Sequence, residues 1–263
     1  MSKSTNPRRK SPRKSKVNGY VLHQDAHIVV IAVGFADAST NAKTGGMVQI
    51  YILCAKENPV DAVRSGLDVW ICGDCPDRGP LGERPCYVQV AQAPLAIWGA
   101  WSRGRYPFLP IERYAEVFGG RKVRFGACGD PAMVPFAIIQ AIAAVARKRT
   151  GYTHQWRHQP HLAPYLMASV DSLAEYRLAK EQGWRTFRVS HDGAVMPNEI
   201  LCPASKEAKL ARLARGNTNE ITCEKCGLCD GKGQGDVRKD VVIKVHGPGA
   251  KNFVALDAIG AAA

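Results

Sequence analysis

The sequence predicts an α/β protein with a parallel sheet, open or curled into a barrel, preceded by an N-terminal β-hairpin and followed by a cysteine-rich segment. Three observations predict this. Beyond about residue 61, short β-branched runs alternate with helical stretches, the pattern of strands joined by crossover helices. Before that, two apolar runs flank a cluster of turn residues. Seven of the nine cysteines fall into two groups, one inside the alternating region and one after it. The divisions that follow are a basic tail over 1–17, a hairpin over 18–60, the alternating α/β region over 61–216, and a cysteine-rich segment with a closing strand over 217–263.

The tail is rich in Ser, Pro, Lys and Arg. It holds Lys3, Arg8, Arg9, Lys10, Arg13, Lys14 and Lys16 without an acid. Such a composition buries too little to order itself, and its cations can meet nucleic-acid phosphates nonspecifically or merely keep the chain soluble. The chain carries a net charge of +13 over 263 residues. Its 46% hydrophobic content suffices for a core. No apolar run reaches the roughly eighteen residues of a membrane span, and no apolar segment follows the basic N-terminus as in a secretory signal. A reducing, cytoplasmic setting is expected, in which paired cysteines bind metal or do chemistry.

His27–Val33 and Met47–Cys54 read as the hairpin strands, with Asn41, Gly45 and Gly46 in the turn. Val69–Ile71 reads as a short strand running into Cys72. Ala93–Arg103 and Ile111–Phe118 read as helices. Lys122–Ala127 reads as a strand. Pro135 opens a helix through Ile138, Ile139, Ile142 and Val145, with Arg147, Lys148 and Arg149 in its last turn and Gly151 as cap. Tyr152–Arg157 and Tyr165–Val170 read as strands. Ser172 and Glu175 make a capping box for a helix to about Gln182. Trp184–Val189 and Glu199–Cys202 follow as strands. Ser205 caps a helix to Arg215, and Val241–Val245 closes the sheet. Gly231–Gly235 lacks the residues of a phosphate-binding loop and reads as a linker.

The first cysteine group is Cys72, Cys75 and Cys86; the second is Cys202, Cys223, Cys226 and Cys229. A tight turn brings thiolates spaced Cys-x2-Cys to one side, where they converge on one metal. Cysteines at i, i+3 and i+6 resemble iron–sulfur ligation more than paired zinc knuckles, though zinc stays open as the alternative. Lys225 and Lys232 are placed to balance thiolate charge. Three thiolates leave a cluster position open and four close it; Cys128 is a possible fourth ligand for the first group.

Polar residues also collect after the predicted strands: Cys72 and Cys75, then Cys128, Gly129 and Asp130, then His154, Gln155 and Arg157, then Ser169 and Asp171, then Arg188, Ser190 and His191, then Cys202. Parallel strands present such ends along one face, so both cysteine groups are expected at one mouth. His154 suits proton transfer, and Arg157 or Arg188 suits a carboxylate or phosphate.

This arrangement resembles the radical S-adenosylmethionine proteins, and the chain also looks like a phage- or prophage-encoded protein. The resemblance implies a partial (β/α)6 barrel with a three-cysteine loop after its first strand, matched by Cys72, Cys75 and Cys86. It implies that these hold a [4Fe–4S] cluster whose open iron binds S-adenosylmethionine. Gly129-Asp130-Pro131 resembles the family's Gly-Glu-Pro segment, with Asp130 accepting from the cofactor ammonium and Ser169 a further contact. Cys202, Cys223, Cys226 and Cys229 resemble an auxiliary cluster. The family's usual spacing is Cys-x3-Cys-x2-Cys, whereas this chain has Cys-x2-Cys-x10-Cys. The expectation is an iron–sulfur enzyme that cleaves S-adenosylmethionine with an electron donor as partner and a nucleotide or nucleic acid as substrate. Its catalytic candidates are Asp130, His154, Arg157, Asp171 and Arg188. The alternative is a non-catalytic zinc protein that binds nucleic acid.

Overall fold

The structure, a computed structural model, describes residues 17–39 and 41–253. The tail cations Arg8, Arg9, Lys10, Arg13, Lys14 and Lys16 lie outside the described residues.

Three strands open the chain: β1 (Gly19–Gln24), β2 (Ile28–Val33) and β3 (Val48–Cys54), paired antiparallel in order. Asp25 turns the chain between the first two, its carboxylate accepting from the amides of His27 and Ile28 at 2.7 and 2.8 Å. Every residue of β3 is buried, because β3 also pairs in parallel with β4 (Lys122–Cys128). The hairpin expected to precede the main unit thus shares its last strand with it.

Between β3 and β4 lie α1 (Pro59–Ser65), α2 (Val69–Cys72), α3 (Ala93–Ser102) and α4 (Tyr114–Phe118). Asn58 caps α1 through the amides of Val60 and Asp61. The strand expected at Val69–Ile71 is therefore a helical turn, and β3 is the strand that leads to the first cysteines. Three apolar residues carry no period by themselves. Here the amides of Ile71 and Cys72 bond back to the Asp68 carbonyl.

Next come α5 (Phe136–Val145), β5 (Lys148–Thr150), β6 (Tyr152–Thr153), β7 (Met167–Val170), α6 (Leu173–Glu181), β8 (Thr186–Ser190), β9 (Glu199–Leu201), α7 (Lys206–Ala214), α8 (Cys223–Cys226) and β10 (Asp240–Lys244). Helix α5 stops short of Arg147, Lys148 and Arg149, expected in its last turn. Lys148 and Arg149 instead pair with Lys122 and Val123 of β4, so sheet pairing outweighs the helix-dipole preference. The expected strand Tyr152–Arg157 keeps only two strand residues before a 3₁₀ turn at Gln155–Arg157. Ser172 caps α6 at the Glu175 amide and Ser205 caps α7 at the Ala208 amide, as read from the sequence.

The fold is mixed α/β with parallel strands. One sheet runs β1-β2-β3-β4-β5 and the other β6-β7-β8-β10-β9, all parallel. Only Gly151 separates β5 from β6; its amide donates to Cys229 at 2.8 Å. One face of the strands packs Val30, Ile50, Ile52, Val123, Phe125, Ala168 and Val170 against Ile138, Ile139 and Ile142 of α5, Phe118 of α4 and Ala179 of α6. The opposite face carries Tyr51, Leu53 and Cys128 under Ile97 of α3, and Met167, Phe187, Cys202, Val241 and Ile243 farther along. No helix among the described residues is long and apolar enough to cross a membrane.

Arg185, 1% exposed, fastens the cysteine-rich segment to the sheet. Its guanidinium donates to the carbonyls of Leu228 (2.7 Å), Gly231 (3.2 Å) and Lys239 (2.7 Å). The residues expected to form a flexible glycine linker are thereby tied down. Arg185→Met strands these carbonyls without a donor. It is expected to destabilise the protein by about 3 kcal/mol in denaturant unfolding and to open residues 225–239 to native-state proteolysis.

Candidate metal centres

The first cysteine group sits at the carboxyl ends of the parallel strands. Cys72 ends α2, and the Cys75 amide bonds back to the Cys72 carbonyl, the tight turn that Cys-x2-Cys needs. Arg78 staples this turn, donating to the Gly73 and Gly66 carbonyls and to Asp68 at 2.8 Å. Gln155, after β6, donates to the Cys72 carbonyl at 3.1 Å. Cys72 is pushed well up in pKa by burial and then by Cys128, Cys75 and Cys86, which places these thiols in one another's field. Burial, with Cys86 next, pushes the Cys128 thiol up to about 12. Arg84 supplies positive charge beside Cys86 and Cys72, and its Nε and Nη1 are buried without a protein acceptor. Cys128 thus stands with the three predicted ligands, at the end of β4.

Gly129-Asp130-Pro131 does not present a free carboxylate. Asp130 is buried, and its oxygens accept from the Ala132 amide at 2.9 Å, the His154 amide at 2.8 Å and the Thr153 side chain. Its own amide donates to Ile71 at 2.7 Å. The segment docks the cysteine-bearing α2 onto β4. Ser169 is buried, its carbonyl held by Trp156 Nε1 at 3.0 Å. It lines a cavity of about 40 Å³ with Asp77, Tyr152, His154 and Phe187.

His154 links Cys75 to Asp171. Its Nδ1 lies 3.2 Å from Cys75 Sγ and its Nε2 3.1 Å from Asp171 Oδ2. Burial opposes its charged form, but the Cys75 thiol and Asp171 outweigh burial and hold its pKa well above the usual histidine range. Asp77 joins them, its carboxyl raised to about 6 by burial and by Asp171. Cys75, Asp77 and His154 bring their ligand atoms within 4.8 Å of one another, and no other trio among the described residues does so.

The remaining catalytic candidates are committed elsewhere. Arg157 pairs with Glu175 and lies over the Trp156 ring at 4.2 Å. Arg188 grips Glu199 with two hydrogen bonds of 2.8 and 2.6 Å, both side chains buried. Both are structural ion pairs, indistinguishable in sequence from anion sites because their partners lie 18 and 11 residues away.

The second cysteine group occupies the opposite ends of the strands, against the expectation of one shared mouth. The amides of Cys223 and Glu224 donate to the carbonyls of Lys43 and Thr44, just before β3. Glu224 pairs with Lys122, the first residue of β4, at 3.2 Å. Gly227 packs against Lys148, the first residue of β5. Thr222 caps α8, and Gly227, with φ of +68°, turns the chain back toward Cys229. Cys202 ends β9 but reaches this site because β9 pairs only with the first residues of β10. Cys202, Cys223, Cys226 and Cys229 line one cavity with Thr150, Leu228 and Val241. Burial, and then each other's charge, lifts Cys229 well above the ordinary thiol range. Lys43 feels Cys202, Cys223 and Cys229, although burial lowers its own pKa. Lys43 and Lys148 were not legible as the counter-charges. Of the lysines named from proximity in sequence, Lys225 donates its ammonium to the Glu220 carbonyl at 3.0 Å.

The donor sets fit metal in both places. One tetrahedral zinc holds sulfurs about 3.8 Å apart, whereas a four-iron cluster spreads its thiolates over four metal atoms, roughly 6–7 Å apart. No three cysteine sulfurs lie within 4.8 Å of one another. Comparison with known proteins adds no name: no family, no curated protein and no solved structure matches the chain.

Gly129 adopts φ of +78°, and a Cβ there meets the Ile52 carbonyl oxygen at 2.7 Å and the Ile71 oxygen at 3.0 Å. Gly129→Ala is expected to destabilise the protein by about 2 kcal/mol or more in denaturant titration, because both backbone strain and the α2 docking contact are affected.

Proposed function

We propose that the chain is an iron–sulfur protein of the radical S-adenosylmethionine type, its parallel strands curled into a partial six-stranded barrel with one cluster at each end. Cys72, Cys75 and Cys86 hold the cluster with an open iron, and Cys202, Cys223, Cys226 and Cys229 hold a closed one. One observation carries this reading: four thiols line a single cavity with no carboxylate or histidine among its lining residues, and Lys43 stands within the field of three of them. Such a set suits a cluster that brings its own sulfide and net negative charge.

When bound, a reduced cluster with an open iron supplies one electron to a ligand on that iron. The protein's own residues orient and insulate it. Arg84 lends positive charge beside Cys86. His154 fixes Cys75 from one side and is itself fixed by Asp171 and, through its backbone, by Asp130. Asp130 already accepts from the Ala132 and His154 amides and Thr153, and Ser169 is buried, so no cofactor contact is assigned to either. Support for the family chemistry is the three-cysteine loop following the first parallel strand.

A zinc protein is the second reading. It is favoured at the first site by the closeness of Cys75, Asp77 and His154. Purification without oxygen, followed by iron, sulfide and zinc analysis and a visible spectrum, separates the two. The iron–sulfur reading expects a brown protein absorbing near ~400 nm with iron and sulfide in equal amounts. A colourless protein with stoichiometric zinc refutes it. Turnover of S-adenosylmethionine by the reduced protein then tests the family assignment, and a fully loaded protein that leaves the cofactor intact under several reductants refutes that part.

A further inference from the structure

Beside the first cysteine loop, a cleft of about 370 Å³ opens between the residues after Cys86 and the strands β3 and β4. Gln49, Tyr51 and Arg124 line it from the strands, and Tyr87, Gln89 and Gln92 from the loop. This volume falls within the range of small-molecule sites.

Arg124 is the unusual member. It projects half-buried from the second parallel strand, its guanidinium turned to the cleft. Its hydrogen bonds among the described residues both come from Nη2, to Tyr87 Oη at 2.9 Å and Tyr152 Oη at 3.4 Å. Nη1 and Nε have no partner there, and no carboxylate pairs with it.

The other lining groups are similarly unspent. The Tyr51 hydroxyl and the Gln89 and Gln92 amides make no hydrogen bond among the described residues. Gln49 donates to Thr44 and Met47 through Nε2 but leaves its Oε1 free. Tyr87 is held rigid, stacked on His246 with ring centroids 5.3 Å apart and bonded to Tyr152 at 2.7 Å. A fixed cation, two tyrosine rings and the exposed side-chain amides of Gln89 and Gln92 converging on one cleft describe a binding site for a flat polar molecule with an anionic group.

We propose that this cleft binds a small oxyanion ligand, a carboxylate or phosphate monoester on a flat polar body the size of a nucleoside monophosphate, with the oxyanion on Arg124. The ligand would lie against Tyr87, the residue after Cys86. That position suits the substrate of the proposed enzyme, but the inference does not depend on which metal the cysteines hold.

Isothermal titration of the full chain with adenosine monophosphate, succinate and inorganic phosphate tests it, with metal content measured on the same samples. Saturable binding of at least one probe is expected. Preference for adenosine monophosphate assigns a phosphate ester, and preference for succinate a carboxylate. Arg124→Gln is expected to weaken binding about tenfold or more, as loss of a charge-assisted contact does. The paired variant Gln89→Ala with Gln92→Ala, on the loop, is expected to weaken it several-fold and serves if Arg124→Gln does not fold. No saturable binding of any probe overturns the inference, as does binding that neither variant weakens. Binding lost with iron and sulfide intact counts against the cleft alone; binding retained by a zinc-only protein counts against the iron–sulfur reading alone.

Discussion

One buried carboxylate organises the first centre. Asp130 receives the amides of Ala132 and His154 and the Thr153 hydroxyl, while its own amide anchors the carbonyl of Ile71 next to Cys72. Three segments distant in sequence meet there: the cysteine-bearing turn, the end of β4 and the histidine after β6. Burial raises the Asp130 pKa, and the Thr153, Ala132 and His154 bonds counter it. A buried carboxylate so fully bonded acts as a joint, and losing any partner would leave an uncompensated group in a poorly solvated place. The docking of Cys72 and the orientation of His154 both follow from that joint.

Much of the parallel architecture was legible in the sequence. Lys122–Ala127, Tyr165–Val170, Trp184–Val189 and Val241–Val245 overlap β4, β7, β8 and β10 to within a residue or two, because short β-branched runs bounded by turn residues have few other uses. The serine caps of α6 and α7 were legible because capping is local. What failed was non-local. Val69–Ile71 is apolar in either state and carries no period of its own. Lys148 and Arg149 suit a helix end by charge, and only the partner strand reveals them as β residues.

The site was legible by residue type and not by geometry. Cysteine spacing marked both groups, and His154 and Asp171 do meet beside the first. Spacing could not show that the second group lies at the opposite strand ends, because that depends on β9 pairing low on β10 and on Arg185 drawing the loop under the sheet. Nor could it show which cations act on the thiols: Lys43, before β3, and Lys148, at the start of β5, lie far from the cysteines in sequence. Arg157 and Arg188 show the converse error, since a charged residue near a strand end is as readily a structural ion pair as a ligand contact. The separation of the groups has a chemical consequence. Two centres at opposite ends of the same strands are independent in ligation, and Arg124, Tyr87 and Tyr152 occupy the space between them.

Iron counting in paired cysteine variants tests this separation most directly. The account predicts about eight irons in the intact chain and about four in either Cys72→Ala with Cys75→Ala or Cys223→Ala with Cys226→Ala, each variant keeping the spectrum of the centre it retains. Loss of all iron from either folded variant, or its replacement by one zinc per site, would contradict it.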